Sequence, residues 1–330
     1  MDRKLQLENW LSQVLGAKPY TLTTASADAS FRRYFRVHAN DETMIAMDAP
    51  PPQEDCTPFV KVAKLMLDAG LNVPKVIAQD LAQGFLLLSD LGDDTFLSKL
   101  NTDSAQPLYG NATDALIKLQ LASKPNILPA YDEALLTREM NLFPDWYIAK
   151  HLGVALQANQ DAALRASFQV LNANILSQGQ VYVHRDYHSR NLMVCKENPG
   201  VLDFQDAVYG AITYDLVSLL KDAYIAWDEE QIIDWAVRYW QPAKKAGLPV
   251  PQDFSEFYRN FEWMGAQRHI KVLGIFARLY HRDGKDGYLK DMPLVMQYLR
   301  KVCGRYIELR PMLKLLNTLE GHQEKAGYTF

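Results

Sequence analysis

The feature that most constrains the fold is the segment at residues 181–206, where a polar loop lies between a short strand pattern and a predicted hairpin. Its sequence is VYVHRDYHSRNLMVCKENPGVLDFQD. Two apolar runs on either side of an Asn-Pro-Gly turn predict the hairpin. Asn191 stands directly before its first strand and Asp203 just after its second, so strand pairing brings these two side chains together. Asp186 lies on the same loop, and we expect all three to converge.

These three side chains carry the oxygen atoms that phosphoryl transfer requires. Carboxylate and amide oxygens are the ligands that Mg²⁺ prefers, and a further carboxylate can accept the proton of a hydroxyl that attacks a phosphate. The spacing H-x-D-x-x-x-x-N, followed by a strand and D-F, is typical of the catalytic and metal loops of kinase folds. It is present here from His184 through Asn191 to Asp203. The sequence therefore predicts a kinase site.

A zinc site is the competing interpretation, because His184 and His188 have the i, i+4 spacing of a helical zinc pair. Zinc-protease helices need a glutamate directly after the first histidine. This chain has Arg185 there, in a segment that predicts a strand running into a loop. A polar loop without chemistry would leave the convergent oxygen groups unexplained. Both alternatives are therefore disfavoured.

The composition indicates an ordinary globular protein. Of the 330 residues, 48% are hydrophobic and 22% are charged, and this length suits two lobes better than one core. The net charge of −4 argues against nucleic acid as a partner. Neither a signal peptide nor a membrane span is indicated, so we expect a cytoplasmic protein without a membrane partner. Its three cysteines show no paired spacing that would predict disulfides or zinc.

Residues 1–90 predict a β-rich lobe that covers a nucleotide. Helix patterns occur at residues 5–15 and from an N-cap at Thr57 to a stop at Gly70. They alternate with strand patterns at residues 20–37, 43–47, 72–77 and 85–88. Kinases cover the phosphates with a glycine-rich turn, but the segment between Gly16 and Gly70 has no glycine. Ser30 and backbone N–H groups are therefore the candidates for this contact, and an ordinary edge hairpin with surface arginines explains the segment equally well.

The lysine that kinases carry on the third strand is replaced by Met47, and the helix at residues 57–68 has no glutamate to pair with it. The absence of both residues of this lysine–glutamate ion pair is consistent, because either charge buried alone would cost folding free energy. Other cations must then meet the phosphate charge, and the candidates are Arg32, Arg33, Arg36, Lys61 and Lys64.

The polar segment at residues 89–94 predicts the crossing into a second lobe at residues 91–330. We expect adenine to bind there through the backbone near Ser89, Asp90 and Leu91. The second lobe predicts helices at residues 112–122, 161–176, 229–240, 254–280 and 292–316. Asp215 falls in the first turn of another helix, where it is placed as an N-terminal cap.

At His184, Asp186, His188, Asn191 and Asp203, the chain resembles the aminoglycoside phosphotransferase and choline kinase family of small-molecule kinases. The resemblance implies an α+β, bilobal, protein kinase-like fold with a small β-rich N-lobe and a larger helical C-lobe. It implies ATP and Mg²⁺ as cofactors, Asp186 as catalytic base, and Asn191 and Asp203 as metal ligands.

The same resemblance implies that His184 and Asp215 keep the catalytic loop in shape, and that His188 and Asp206 face the sugar or the phosphates. Finer segments resemble one branch of the family: DASFRRYFR at residues 28–36, MDAP at 47–50, HRDYHSRN at 184–191 and GIFAR at 274–278. That branch phosphorylates N-acetylmuramate and N-acetylglucosamine at C1 in bacterial cell-wall recycling. It implies a small-molecule sugar and ATP as partners.

Two alternatives stay open: a kinase of the same fold acting on an aminoglycoside, choline or homoserine, and a non-catalytic nucleotide-binding module. The acidic run at residues 228–230 could attract an aminoglycoside, although a solvated helix start explains it better. Basic residues of the helix pattern could meet the lactyl carboxylate of muramate, although solvation of a helix surface explains them equally well. They are Arg268, His269, Lys271, His281 and Arg282. The oligomeric state stays open.

Overall fold

The computed structural model describes residues 2–16, 18–27, 31–40, 42–197 and 199–321. Its α-helices are α1 Arg3–Leu15, α2 Thr57–Asp68, α3 Phe96–Lys99, α4 Ala105–Leu121, α5 Glu133–Met140, α6 Ala158–Ser177, α7 Tyr214–Leu220, α8 Glu229–Lys245, α9 Phe254–Asp283, α10 Met292–Arg305 and α11 Arg310–Leu319. Its strands are β1 Tyr20–Ala27, β2 Arg33–Ala39, β3 Glu42–Asp48, β4 Val76–Asp80, β5 Phe85–Ser89, β6 Gln180–Val183, β7 Leu192–Met193, β8 Gly200–Val201 and β9 Val208–Ala211. A π-helical segment spans Phe143–His151, and 3₁₀ turns span Asp286–Asp291 and Ile307–Leu309.

The chain divides into two compact units. The first comprises Met1–Leu119 and Arg190–Ala207, and the second comprises Gln120–Ser189 and Val208–Phe330. The first unit contains an antiparallel five-stranded sheet in the order β1-β2-β3-β5-β4, whereas the second is mainly helical. The predicted α+β class is therefore confirmed, and the predicted lobe boundary at residue 90 stays a prediction.

Helix α1 packs on the sheet of the first unit and builds its core. Its buried residues Leu7, Trp10 and Leu11 form one cluster with strand residues that include Val37 and Phe85. The rings of Trp10 and Phe85 lie 5.7 Å apart in a tilted arrangement. Alternation along each strand places every second side chain on this face, so the cluster fixes the register of the sheet.

Helix α2 lies where the sequence predicts a helix, but its N-cap is Cys56 and not Thr57. Cys56 makes no side-chain capping bond. The Asp55 carboxylate instead accepts a hydrogen bond of 2.8 Å from the N–H of Thr57. A carboxylate at this end also suits the helix dipole, so a neighbouring residue performs the capping that the sequence assigned to Thr57.

The predicted hairpin is present in the first unit as β7 and β8, in which Leu192 pairs with Val201. The N–H of Val201 donates a 2.8 Å hydrogen bond to the carbonyl of Asn72, which anchors the hairpin to the segment before β4. A Cβ atom at Gly200 would lie 3.0 Å from the side chain of Leu91. Glycine therefore allows the hairpin to approach the residues that follow β5.

Helix α9 spans 30 residues and is the central element of the second unit, where it contacts the π-helical segment, α7 and α10. A Cβ atom at Gly274 would lie 2.4 Å from the carbonyl carbon of Leu142, so this close approach requires glycine. The single helix predicted for residues 292–316 is wrong, because α10 ends at Arg305 and α11 begins at Arg310. Pro311 lies in the first turn of α11, where proline is tolerated, whereas in a continuous helix its ring would clash with the carbonyl of Ile307.

Within the residues that the structure describes, no helix combines the length and the apolar character that a membrane crossing requires.

Candidate active site

The first unit contains a cavity of about 470 Å³. Ser89, Asp90 and Leu91, which the sequence predicts to contact adenine, line it. Its apolar walls come from strands, helix α2 and the hairpin, and include Tyr34, Ile45, Phe59, Pro74, Leu88, Met193, Leu202 and Phe204. An apolar cavity with a few polar groups is the usual form of a small-molecule site.

The segment that follows β5 is fixed by an ion-pair network that the sequence analysis missed. Arg36 donates to the carboxylates of Asp90 and Asp93, each at 2.6 Å. Burial would raise the pKa of Asp90, but its hydrogen bonds from Arg36 and from the N–H of Gly92 outweigh burial and lower it. Arg36 lines the cavity. Its positive charge is already balanced by the carboxylates of Asp90 and Asp93.

Three further candidates for phosphate contact, Arg32, Arg33 and Ser30, are placed differently. Arg32 pairs with Glu54 at 3.0 Å, and Arg33 pairs with Asp48; neither arginine lines the cavity. Ser30 lies outside the described residues. Each arginine would have to leave its carboxylate before it could bind phosphate.

Asn191 and Asp203 lie next to each other at one end of the hairpin, as the sequence predicts, and both line the cavity. The amide nitrogen of Asn191 lies 3.3 Å from an oxygen of Asp203, whose other oxygen accepts a 2.7 Å hydrogen bond from Gln205. Asp203 has a φ of +62°, a backbone region that non-glycine residues seldom adopt. Such strain concentrates at functional sites. These oxygen donors could bind a hard divalent cation.

Asp206, three residues after Asp203, belongs to the same unit but is exposed and does not line the cavity. In the described part of the chain, no group of three or more His, Cys, Asp or Glu residues lies close enough to hold a metal ion alone. A cation bound by Asn191 and Asp203 would need further oxygen ligands from a nucleotide or from water.

In the second unit, a buried carboxylate fixes the start of the loop that follows β6. Asp215 accepts hydrogen bonds from the N–H groups of His184 at 2.6 Å and Arg185 at 3.0 Å. It does not cap α7, whose N-cap is Thr213, so the predicted helix cap is wrong. Burial raises the pKa of Asp215 to about 7, although both N–H groups favour the carboxylate.

A second buried carboxylate, which the sequence analysis missed, fixes the other end of this loop. Asp222 accepts hydrogen bonds from both the N–H, at 3.0 Å, and the hydroxyl of Ser189. Between the two anchors, the N–H of Asp186 donates to Nδ1 of His184 at 3.2 Å, and the N–H of His188 donates to the carbonyl of Asp186 at 3.0 Å. The loop that carries Asp186 is therefore held at both ends.

Glu139 is the centre of a buried charge cluster beside this loop. It pairs with Arg185 and with Lys271, the latter at 3.0 Å, and it accepts a hydrogen bond from the Tyr131 hydroxyl. Burial would raise the pKa of Glu139, but these two cations outweigh burial and lower it. No local pattern around Glu139 predicts this role.

Asp186 is surrounded by positive charge within its unit. Burial would raise its pKa, but Lys271 and Arg268 outweigh burial and lower the pKa to about 2. The preceding residue, Arg185, has a φ of +78°. Asp186 is therefore an ionised carboxylate that follows a strained residue, which is typical of a catalytic group.

The residues predicted to contact the sugar differ in their surroundings. His188 forms an edge contact with the ring of Tyr224 at 5.4 Å. His269 stacks on Tyr298 at 5.1 Å, and burial lowers its pKa to about 3, so its ring is neutral. Arg268, like His269 and Lys271, is buried. Solvation of a helix surface is therefore the wrong explanation for these three residues.

A comparison with protein families identifies the group to which these features belong. The phosphotransferase enzyme family matches residues 21–250, a range that includes the hairpin, both anchoring carboxylates and Asp186. The chain belongs to this family. The match confirms the predicted kinase type of enzyme and the family that the sequence resembles.

Individual proteins agree with this membership. The chain is 48% identical to the N-acetylmuramate/N-acetylglucosamine kinase of Neisseria meningitidis serogroup B, over 100% of both chains. It is 52% identical to the protein of the same name from Pseudomonas aeruginosa, over 91% of this chain and 89% of that one. Choline kinase LicA from Streptococcus pneumoniae has a TM-score of 0.66 at 12% identity, over 91% of this chain and 100% of that one. This likeness shows the fold alone.

Proposed function

We propose that this chain transfers the γ-phosphoryl group of ATP to the C1 hydroxyl of N-acetylmuramate and of N-acetylglucosamine. The observation that carries the proposal is its 48% identity, over the full length of both chains, to a kinase named for these two sugars. The oxygen-bearing groups that phosphoryl transfer needs support it. We assign the reaction to the cytoplasmic recycling of peptidoglycan sugars.

We assign ATP to the cavity of the first unit. Its volume of about 470 Å³ suits a nucleotide, and its apolar walls suit the adenine ring. The backbone at Ser89, Asp90 and Leu91 would bind the edge of the base. Arg32 and Arg33 stay candidates for phosphate contact only if they exchange their present carboxylate partners for phosphate oxygens.

We propose Asn191 and Asp203 as ligands of Mg²⁺. Mg²⁺ is bound in nucleotide sites by one or two protein oxygens together with phosphate oxygens and water, and this donor set fits that requirement. The bound ion would neutralise negative charge on the phosphates. Asp203 has its side chain fixed by Gln205, which prepares one oxygen position before any ligand binds.

Asp186 would accept the proton of the C1 hydroxyl. As the bond from the C1 oxygen to the γ-phosphorus forms, the bond from that phosphorus to the β–γ bridging oxygen breaks, and ADP leaves with its electron pair. A carboxylate with a pKa of about 2 is a weak base, so the proton moves late and catalysis rests on positioning. His184 and Asp215 would keep the loop in shape.

His188 lies two residues from Asp186 and stays the candidate to face the sugar. Asp206 has only the family resemblance in its favour. An aminoglycoside acceptor is disfavoured by the environment of Glu229, which pairs with Lys301 at 2.8 Å and with Arg305. These cations lower the pKa of Glu229 to about 2 against the opposing effect of burial, so its charge is already balanced.

The test is to incubate the chain with ATP and Mg²⁺ and, separately, each of N-acetylmuramate, N-acetylglucosamine, choline, homoserine and kanamycin. We expect ADP release with both amino sugars, and phosphorus NMR should place the new phosphate on C1. ADP release with choline, homoserine or kanamycin alone would refute the proposed acceptor and retain the kinase chemistry. Absence of turnover with all five acceptors would favour a nucleotide-binding module.

A further inference from the structure

Arg268 of α9 differs from the other buried cations of the second unit. Lys271 is paired with Glu139 at 3.0 Å, and Lys221 is paired with Glu262 at 3.5 Å. Arg268 is only 7% exposed, yet it forms no ion pair with any residue that the structure describes. The carboxylates of Asp186 and Asp222 act on this guanidinium from beyond ion-pair distance, so a ligand carboxylate in direct contact with it would balance the charge more closely.

The hydrogen bonds of Arg268 use one of its nitrogens. Nη1 donates to the carbonyl of Arg185 at 2.8 Å and to the hydroxyl of Tyr214 at 3.2 Å. Nε and Nη2 have no partner within the described ranges, and neither is among the fully buried unpaired polar atoms, so both reach accessible space. Nε–H and Nη2–H form one planar edge of the guanidinium, which matches the two oxygens of a carboxylate.

The position of Arg268 indicates which ligand would supply a carboxylate to it. Its Nη1 binds the residue directly before Asp186, the proposed base. The acceptor hydroxyl must approach Asp186, so the acceptor also comes close to Arg268. Of the two proposed acceptors, N-acetylglucosamine is neutral and N-acetylmuramate carries a lactyl carboxylate.

We propose that the Nε and Nη2 edge of Arg268 binds the carboxylate of the acidic acceptor sugar, which makes Arg268 a specificity-determining residue. The inference rests on the proposed function and adds a charge-dependent choice between its two acceptors. The neutral ring of His269 cannot supply this charge. Arg268 also positions the loop through Nη1, and that role affects both acceptors equally.

The comparison of the two sugars separates these roles. In Arg268→Met, kcat/KM should fall with both sugars because the loop contact is lost, and by a further 10- to 100-fold with N-acetylmuramate, roughly the effect of one or two charge-assisted hydrogen bonds. Lys271→Met is the matched control, because Lys271 is a buried cation on the same helix with its own carboxylate; it should lower kcat/KM with both sugars by the same factor. Equal losses in Arg268→Met would overturn the proposal.

A measurement on the unaltered chain covers the case in which Arg268→Met does not fold. The methyl ester of N-acetylmuramate keeps the size of the lactyl group and removes its charge. We expect the ester to have a KM about tenfold or more above that of the acid, with kcat retained. An ester that binds as well as the acid would contradict the carboxylate contact, whereas no turnover with any of these sugars would instead refute the proposed function.

Discussion

Each unit has one non-glycine residue of its candidate site loop in the left-handed backbone region, Asp203 in the first and Arg185 in the second. In the first unit, the partners of Asp203 include the amide side chains of Asn191 and Gln205, and the site borders a cavity. In the second, Arg185 is bound by the buried carboxylate of Glu139. The first loop therefore borders a cavity that a ligand could enter, whereas the second is held by ion pairs to a buried carboxylate.

The largest expected effect is the loss of kcat in variants of Asp186 and Asp203, and the response of ATP binding distinguishes the two loops. Asp186→Asn should lower kcat by about 10³-fold, the usual range for a removed acid–base group, while ATP affinity changes less than about threefold. Asp203→Asn should lower kcat comparably and also remove the Mg²⁺ dependence of ATP binding, because it removes a proposed metal ligand. Stopped assays with calorimetric ATP titrations, with and without Mg²⁺, measure both. Near-normal turnover of Asp186→Asn would refute its role.

The next effect concerns stability. Glu139→Gln leaves the buried Lys271 and the partly buried Arg185 beside a neutral group, and it should lower the free energy of unfolding by about 3–5 kcal/mol. Asp90→Asn is the matched change in the first unit, where Arg36 keeps Asp93 as partner at 2.6 Å. It should cost about 1 kcal/mol, because this network is partly exposed. Urea unfolding of both variants checks the difference, and equal costs would contradict the contrast between the units.

The smallest expected effect is the response of activity to pH. Asp186, with a pKa of about 2, is ionised throughout the neutral range, whereas Asp215 titrates near pH 7. Between pH 9 and pH 6, kcat/KM for the neutral sugar N-acetylglucosamine should change less than about fivefold, because protonated Asp215 still has an oxygen acceptor for the loop. A tenfold fall per pH unit would show that the base itself titrates in this range.

The same two carboxyl groups have opposite effects on folding. The lowered pKa of Asp186 means that its contribution to stability is complete above about pH 4 and is lost as the pH falls towards 2. The raised pKa of Asp215 means that its contribution is complete below about pH 4 and is lost as the pH rises through 7. Thermal melts of Asp215→Asn across this range would isolate the second contribution.

The predictions from sequence succeeded where the deciding contacts are local. A two-stranded hairpin places the residues at its ends side by side by strand geometry alone, so the spacing of Asn191 and Asp203 predicted their proximity. The helical pattern at residues 5–15 similarly predicted α1, which spans Arg3–Leu15. Pro311 was a local signal of a helix boundary in the sequence. The helical periodicity of the residues before and after it led to the prediction of a single helix.

The predictions were incomplete where a charge meets a partner that is distant in the chain. Arg33 was a candidate for phosphate contact from its place in the sequence, yet it pairs with Asp48 of the neighbouring strand. Glu139 lies 46 residues before Arg185 and has no local signal of burial. Only the tertiary packing determines which carboxylate reaches which cation, so the charged cluster of the second unit could not be derived from periodicity.

The backbone at Asp203 has a consequence for protein engineering. Glycine adopts a φ of +62° without the steric cost that aspartate bears there. Asp203→Gly therefore removes backbone strain of about 1 kcal/mol together with the proposed metal ligand. A library that is selected only for resistance to heat would favour glycine at this position and accumulate inactive proteins. Selection on this fold therefore requires an activity screen at every round.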